Sequence, residues 1–171
     1  MKQNNWFDPF FILENLSPEE KLIQQNVKNF SNSVLRPTVV AHNRDHKFER
    51  NLYKEFGALG FLGSTVKNHG GAGASNAAYG LIAYEIEKID SSYRSSISVQ
   101  SSLVIHPIDS FGSDEQKERY LPELISGIKI GCFGLTESEA GSDPSSMKTT
   151  YKKNQNGYVL NGSKNWITNA P

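Results

Sequence analysis

Residues 132–171 read CFGLTESEAGSDPSSMKTTYKKNQNGYVLNGSKNWITNAP, and this stretch decides the fold of the second part of the chain. From Lys129 the hydrophobic period changes, and this predicts a β-strand in which Ile130, Cys132, Gly134 and Thr136 alternate with Phe133 and Leu135. Short strands are also expected at 158–160 and 166–168, where Asn-Gly pairs close by are turn signals. We therefore expect an incomplete β unit of about three or four strands after residue 129.

Upstream of this stretch the hydrophobic period is helical. Two capping boxes, Ser17–Glu20 and Ser113–Gln116, mark helix starts, and Gly127 is expected to end the second of these helices. Further helices are expected at 51–59, after the cap Ser75, and at 92–110. The change of period divides the chain into a helical domain, 1–128, and a partial β domain, 129–171.

Two hydroxyl-rich turns and one flat aromatic side chain predict a cofactor site in the β part. The first turn carries Thr136-Glu137 and Gly141-Ser142-Asp143, and the second is Trp166-Ile167-Thr168-Asn169. Exposed hydroxyls beside a flat ring suit a large, planar, hydrogen-bonding cofactor. Because the second turn lies close to the last residue, we expect this chain to enclose the cofactor only in part.

The two motifs resemble those of the acyl-CoA dehydrogenase family. Thr136–Asp143 reads TESEAGSD, with Ser138 where the family has proline, and Asn161–Asn169 reads NGSKNWITN and is complete. The resemblance implies a mainly α fold, with an N-terminal helical bundle followed by the first strands of a truncated, β-barrel-like middle domain. It covers the N-terminal half of a family member. The C-terminal helical domain and its catalytic glutamate are therefore expected outside this chain, which would contain no catalytic residue.

The resemblance also implies FAD as cofactor and an acyl-CoA thioester as substrate. In the family a base removes the Cα proton while hydride passes from Cβ to the flavin. An electron-transfer flavoprotein then accepts the electrons from a homotetrameric enzyme. The residues that match the family's flavin contacts are Phe133, Gly134, Leu135, Thr136, Glu137, Gly141, Ser142, Trp166, Ile167, Thr168 and Asn169. Within this turn a structural role is expected for Glu137 rather than that of a base.

A serine-rich helix at residues 93–103 has two interpretations from its residues alone. Arg94, Ser98 and Ser101 lie on one helix face. They mark either close helix packing with a surface arginine, or the wall of a polar pocket. In such a pocket an arginine fork and a hydroxyl one turn later can bind a single carboxylate.

Residues 87–108 resemble the glutaryl-CoA dehydrogenase branch of the family. In that branch the arginine that matches Arg94 binds the distal carboxylate of the glutaryl group, and the complete enzyme converts glutaryl-CoA to crotonyl-CoA by oxidative decarboxylation. The implied substrate-binding residues are Glu87, Arg94, Ser95, Ser98 and Ser142. A dehydrogenase of another acyl-CoA and a non-catalytic helical binding module stay open as alternatives.

For the glycine-rich segment, the histidines and the cysteine, structural roles are expected. Gly70–Ser75 lacks the third glycine of a dinucleotide fingerprint and the lysine of a Walker loop, so a helix-connecting turn is expected. His42 and His46 have metal-ligand spacing, but no further ligands complete a cluster in the sequence, so no metal is expected. His106 and Cys132 are expected to pack in the core.

The composition narrows the class of function. The 18 basic and 18 acidic residues balance, which gives no electrostatic argument for nucleic acid or membrane partners. No apolar run approaches the roughly 18 residues of a membrane helix. The N-terminus resembles neither a secretory signal nor a mitochondrial leader. With a single cysteine, the expected location is the cytoplasm, or the mitochondrial matrix in a eukaryote.

Overall fold

The computed structural model describes residues 8–170, which form a helical body followed by a short β region, and the expected mainly α fold is confirmed. The α-helices are α1 (Pro18–Phe30), α2 (Val39–Arg44), α3 (Leu52–Ala58), α4 (Asn76–Glu87), α5 (Ser91–Ser98), α6 (His106–Phe111) and α7 (Asp114–Ile125). Shorter helical turns lie at Ile12–Asn15, Ser31–Leu35, Val99–Ile105 and Pro144–Ser146, and the strands are β1 (Thr150–Asn154) and β2 (Gly157–Asn161). None of the described helices is long and apolar enough to cross a membrane.

Both predicted capping boxes form. The Ser17 hydroxyl accepts the backbone N–H of Glu20 at 3.2 Å, and the Glu20 carboxylate accepts the backbone N–H of Ser17 at 2.9 Å. Ser113 and Gln116 exchange the same pair of bonds at the start of α7. Ser75 caps α4, as expected. These bonds satisfy amide groups that the first turn of a helix leaves without an intrahelical partner.

The end of α7 depends on Gly127, as the sequence predicts. Its φ angle is 72°, in the left-handed region that glycine adopts without steric cost. A Cβ at this position would stand 2.0 Å from the carbonyl oxygen of Tyr53. Glycine therefore also permits the end of α7 to lie directly against α3.

The predicted helix at 92–110 is confirmed as a longer helical run from Ser91 to Phe111. It consists of α5, the π-helical segment Val99–Ile105 and α6, which follow one another without a break. A π segment widens the helix and often occurs at functional sites. This one contains Gln100, whose side chain is fully buried.

The hydrophobic core lies within the helical body. Helix α4 packs against α1 and α5. Phe30 meets Phe56 and Phe61 edge-on, with ring centroids 5.8 Å and 5.7 Å apart, an arrangement that the ring quadrupoles favour. The apolar side chains without any exposed surface are Val27, Leu35, Phe56, Leu62, Ile86, Ile105 and Leu121.

The β region is an antiparallel hairpin. Thr150 pairs with Asn161 and Asn154 pairs with Gly157, so strand β2 contains the predicted strand 158–160. Strand β1 was missed because its sequence, TYKKN, shows no apolar alternation. All of β1 is exposed, and β2 is exposed beyond Gly157. Neither face of the hairpin is therefore packed among residues 8–170.

Two other predicted strands are wrong. Residues 130–136 form no ladder, because a run of alternating residues becomes a strand only when a neighbouring strand takes its backbone groups, and none of the described segments does so. Residues 166–168 form no strand but lie in a turn region. The φ angle is 58° at Trp166 and 69° at the next residue after this range, Asn169. Such angles are incompatible with a continuing strand.

Candidate functional site

The two predicted cofactor motifs meet in one cleft beside the π-helical segment. The cleft has a volume of about 260 Å³. It is lined by Val99, Leu103, Phe133, Leu135, Thr136, Trp166, Ile167 and Thr168. Apolar walls with a few hydroxyl groups are typical of a site for a flat organic ligand.

Lys164 connects the two motifs. Its ammonium group donates to the Leu135 carbonyl oxygen at 2.8 Å and to the Glu137 carboxylate at 2.9 Å. The backbone N–H of Asn165 donates to the Thr136 carbonyl oxygen at 2.9 Å. These three bonds hold the second motif against the first and so keep the two sides of the cleft at a fixed separation.

Glu137 is buried, and its contacts fit the expected structural role. The carboxylate accepts the backbone N–H groups of Lys148 at 2.6 Å and Thr149 at 3.0 Å, in addition to the Lys164 ammonium. The Thr149 side chain, the Lys148 N–H and the Lys164 ammonium lower the pKa of Glu137 to about 2. A carboxylate with so low a pKa stays ionised at neutral pH and is a poor general base.

Gln100 connects the first motif to the helical core. Its amide donates to the carbonyl oxygens of Leu124 and Lys129, each at 2.9 Å, and accepts the backbone N–H of Gly131 at 2.8 Å. A Cβ at Gly131 would stand 2.4 Å from a methyl carbon of Val104. The backbone that leads into the first motif therefore lies directly on the π-helical segment.

Trp166 projects from the cleft into solvent. Its side chain is 92% exposed, and its φ angle is 58°. A left-handed backbone is costly for a bulky residue, and strained residues of this kind cluster at binding sites, where their surroundings hold them. The exposed indole is available to pack against a flat ligand.

The side-chain amide of Asn169 bonds to the protein with both of its ends. Its Oδ1 accepts the Tyr53 hydroxyl at 2.7 Å, and its Nδ2 donates to the carbonyl oxygens of Ser96 and Gly131, each at 3.3 Å. A second cavity, of about 350 Å³, is lined by Phe48, Arg50, Tyr53, Ser92, Ser96, Ile130, Thr168 and Asn169. Asn169 thus belongs to the floor of this neighbouring cavity.

The predicted flavin residues differ in where they lie relative to the cleft. Those that line the cleft are Phe133, Leu135, Thr136, Trp166, Ile167 and Thr168. Gly134 lies between two lining residues and against the Lys164 side chain. Gly141 and Ser142 are exposed outside the cleft, while the polar atoms of Glu137 and Asn169 bind protein groups.

The predicted acyl-binding residues do not line the cleft. At the junction of α4 and α5, Arg94 Nε donates to the Glu87 carboxylate at 2.5 Å, and the Ser91 hydroxyl donates to the same carboxylate at 2.7 Å. Arg94 and then Ser91 lower the pKa of Glu87 below its usual range. Ser95 and Ser98 are partly buried on the same helix. The predicted Ser142 lies apart from this group, in the exposed turn of the first motif.

The two interpretations of the serine-rich helix apply to different residues. Ser101 accepts the backbone N–H of Gly63 at 3.1 Å inside the protein, which is a packing role. Arg94 instead lies at the surface, with 37% of its side chain exposed, where a ligand carboxylate can reach it. The structure thus separates Ser101 from the predicted carboxylate site.

Two predictions about single residues are wrong. His106 is exposed because it lies on the outer side of the long helix, beside the hydroxyl of Ser110. Cys132 is exposed because no strand among residues 8–170 lies beside the 130–136 segment to cover it. Gly70–Ser75 connects α3 to α4 without helix or strand, as expected. Residues 8–170 contain no group of three or more side chains arranged to hold a metal ion.

Sequence reasoning missed several residues that build the site. Val99 and Leu103 face the cleft four residues apart, and this apolar pair in a serine-rich helix was the available signal. Gln100 offered no signal, because a lone glutamine in a helix is typical of a solvent-exposed position. Tyr53 likewise fits the apolar stripe of α3 and gives no hint of its bond to Asn169.

A helical body with a cleft of this lining where it joins a β region has the architecture expected of a cofactor-binding module at a domain junction. Residues 17–128 match the acyl-CoA dehydrogenase N-terminal domain, and residues 132–171 match the acyl-CoA dehydrogenase middle domain. The chain therefore belongs to the acyl-CoA dehydrogenase family.

Individual relatives agree on the family and differ in the acyl group they are named for. Mitochondrial isovaleryl-CoA dehydrogenase from Pongo abelii is 38% identical over 162 residues, which are 93% of this chain and 38% of that protein. A glutaryl-CoA dehydrogenase structure from Mycobacterium smegmatis is 42% identical, with a TM-score of 0.89, over 94% of this chain and 42% of that one. This chain thus spans about two fifths of the length of the relatives it matches.

A further solved structure bears on the cofactor. A glutaryl-CoA dehydrogenase from Mycobacterium smegmatis in complex with FADH2 is 40% identical, with a TM-score of 0.89, over 92% of this chain and 41% of that one. The implied flavin dependence is thus confirmed for the family. The acyl group is not fixed by these comparisons, because both isovaleryl and glutaryl enzymes are among the relatives.

Proposed function

We propose that this chain is the flavin-binding N-terminal part of an FAD-dependent acyl-CoA dehydrogenase. The main support is the meeting of both cofactor motifs in one cleft, where Lys164 joins Leu135 and Glu137. FAD would supply the electron acceptor for the removal of two hydrogens from adjacent carbons of an acyl chain.

The residues of the cleft fit a flavin chemically. Phe133 and Ile167 offer apolar surface, the hydroxyls of Thr136 and Thr168 can donate to or accept from the polar edge of a ring, and the Trp166 indole is exposed for packing. The ammonium group of Lys164 is paired with Glu137, so this side of the cleft presents little net charge to the ligand.

An FAD titration of the purified chain tests this assignment. Because the cleft is open and Trp166 is 92% exposed, we expect weak binding, with saturable quenching of tryptophan fluorescence in a Trp6→Phe background that leaves Trp166 as reporter. A Thr168→Ala variant should weaken binding about three- to tenfold, as expected for the loss of one hydrogen bond. Tyr158→Ala, which removes an exposed aromatic from the hairpin, is the control and should change nothing. Equal affinities for the parent and Thr168→Ala would count against the site.

We further propose glutaryl-CoA as the substrate of the complete enzyme. Arg94 supports this choice, because its guanidinium group is partly exposed, next to Ser95 and Ser98, and is held in place by Glu87. A planar guanidinium can bind a second carboxylate through its terminal nitrogens while its Nε bonds to Glu87. The distal carboxylate of a glutaryl group is such a ligand.

The substrate is tested in the enzyme assembled with this chain, or in a chimera in which the chain replaces the matching part of a glutaryl-CoA dehydrogenase. Arg94→Gln should lower kcat/KM for glutaryl-CoA by about 10- to 150-fold, the range of one charge-assisted hydrogen bond. Butyryl-CoA has no distal charge and is the matched control. Equal losses for both substrates would make Arg94 structural and leave the acyl group unassigned.

A second candidate is a dehydrogenase of a branched or short acyl-CoA, which the isovaleryl relative favours. It predicts that an uncharged acyl-CoA has the higher kcat/KM in the parent enzyme and that Arg94→Gln leaves this value unchanged. In either case an electron-transfer flavoprotein is the proposed electron acceptor and a homotetramer the proposed assembly.

A further inference from the structure

Asn169 has no side-chain hydrogen left for a ligand. A neutral amide carries two N–H donors and one carbonyl oxygen. Both acceptors near Nδ2 are carbonyl oxygens, of Ser96 and Gly131, which can only accept, so the orientation of the amide is determined by its partners. Oδ1 accepts the Tyr53 hydroxyl at 2.7 Å.

These bonds connect three separate parts of the chain. Tyr53 belongs to α3, Ser96 to α5, and Gly131 to the segment that leads into the first cofactor motif. Asn169 is the last residue of the second motif, three positions after Trp166. Its backbone is left-handed, with a φ angle of 69°, which asparagine tolerates better than most residues. The bonds of the side chain favour this conformation over an extended one.

Tyr53 is suited to hold this amide. Its side chain is 3% exposed and packs against Phe48 and Phe56, with ring centroids 5.9 Å and 6.3 Å away. Burial raises the pKa of its hydroxyl, so the group stays protonated and remains a donor at neutral pH. The buried ring thus brings its hydroxyl to the point where the second motif is attached.

We propose that Tyr53 is a positioning residue for the cofactor cleft and that Asn169 transmits its effect instead of contacting the cofactor. This inference rests on the proposed flavin site. The hydroxyl of Tyr53 holds the Asn169 amide, the amide holds the turn that contains Trp166 and Thr168, and that turn forms one side of the cleft. The helical domain thereby sets the geometry of a binding site that lies in the β region.

The first experiment needs no cofactor. Exchange of the Asn169 side-chain amide protons with water is measured by NMR in the ¹⁵N-labelled full chain and in Tyr53→Phe. In the parent chain these protons should exchange more slowly than those of the exposed Asn156, and Tyr53→Phe should speed their exchange by up to about tenfold, as expected when a buried hydrogen bond is lost. Unchanged exchange in Tyr53→Phe would overturn the proposal.

Tyr93→Phe is the matched control. Tyr93 is also 3% exposed and also packs against Phe48, at 5.7 Å, but its hydroxyl lies 3.4 Å from His42 and does not contact Asn169. The control loses the hydroxyl of a tyrosine with the same exposed fraction, so it reports general loosening of the core. A similar increase in exchange in Tyr93→Phe would assign the effect to the core and overturn the proposal.

A double-mutant cycle for FAD affinity separates positioning from contact. If Tyr53 acts through Asn169, the double variant Tyr53→Phe/Asn169→Ala should bind FAD no more weakly than Asn169→Ala alone, because both changes remove the same hydrogen bond between the two side chains. Additive losses would show that Asn169 contacts FAD directly and would overturn the proposal. If no variant or parent binds FAD, the proposed function fails, and the exchange measurement still decides whether Tyr53 positions the turn.

Discussion

The helical body and the β region differ in how they are stabilised. In the helical body, buried apolar side chains from α1, α3, α4, α5 and α7 pack against one another, and side chains cap the first turns of α1, α4, α5 and α7. In the hairpin of β1 and β2 nearly every residue is exposed. The β region is instead attached to the helical body by polar contacts, of Gln100 with Gly131 and of Asn169 with Tyr53 and Ser96. Packing therefore stabilises the domain, while hydrogen bonds position the cofactor motifs.

The largest effect is expected from removing an aromatic ring from the helical body. Phe56 has no exposed surface, so Phe56→Ala should lower the free energy of unfolding by about 3–5 kcal/mol through lost burial and a cavity. Tyr158, in the hairpin, is 66% exposed. Tyr158→Ala should therefore change the free energy of unfolding by less than about 1 kcal/mol. Urea unfolding followed by far-UV circular dichroism measures both. Similar losses would show that the hairpin packs against something and that the contrast between the regions is wrong.

An intermediate effect is expected from acid, and it should be confined to the β region. The folded pKa of Glu137, about 2, lies below its ordinary value of 4.5, so its contribution to stability is complete above about pH 4.5 and is lost as the pH falls towards 2. NMR signals of the backbone N–H groups of Lys148 and Thr149 should therefore shift in this window, before the helical core unfolds.

A Glu137→Gln variant should remove this acid transition and should already show the shifted signals at neutral pH. Glu139→Gln is the control, because the Glu139 carboxylate forms an exposed pair with the Lys148 ammonium and accepts neither of these backbone N–H groups. Retention of the transition in Glu137→Gln would assign it to another carboxylate.

The smallest effect is expected at a helix cap. Ser113→Ala removes the hydroxyl that accepts the Gln116 N–H at 3.2 Å and should cost about 1 kcal/mol, which corresponds to roughly 2–4 °C in Tm for a chain of this size. Ser163→Ala, at an exposed position of the β region, should leave Tm unchanged. If both variants unfold at the same temperature as the parent, capping contributes nothing measurable to the helical body.

The features predicted from sequence are those that local interactions determine. The caps at Ser17 and Ser113 form because the partners lie three residues apart in the chain, and Gly127 can be predicted to end α7 because a left-handed φ angle at a helix end favours glycine. The cofactor motifs were found for a similar reason, since each is a continuous stretch of sequence.

The features that sequence did not predict depend on distant partners. The strand expected at 130–136 needs a neighbour that residues 8–170 do not provide. Gln100 bonds to Leu124 and Gly131, which are 24 and 31 residues away, and Tyr53 bonds to Asn169, 116 residues away. Side-chain patterns within one element cannot reveal such pairs, because each partner lies in a different element of the fold.

The exposed hairpin has a consequence for the behaviour of the protein at high concentration. The outer edge of β1 carries Lys152 and Lys153, whose charges discourage a further strand from adding there. The outer edge of β2, which reads GYVLN, has no charge and can accept one. Two molecules that pair through their β2 edges leave only their two lysine-bearing β1 edges open, so self-association through the hairpin should stop at pairs and not proceed to fibres.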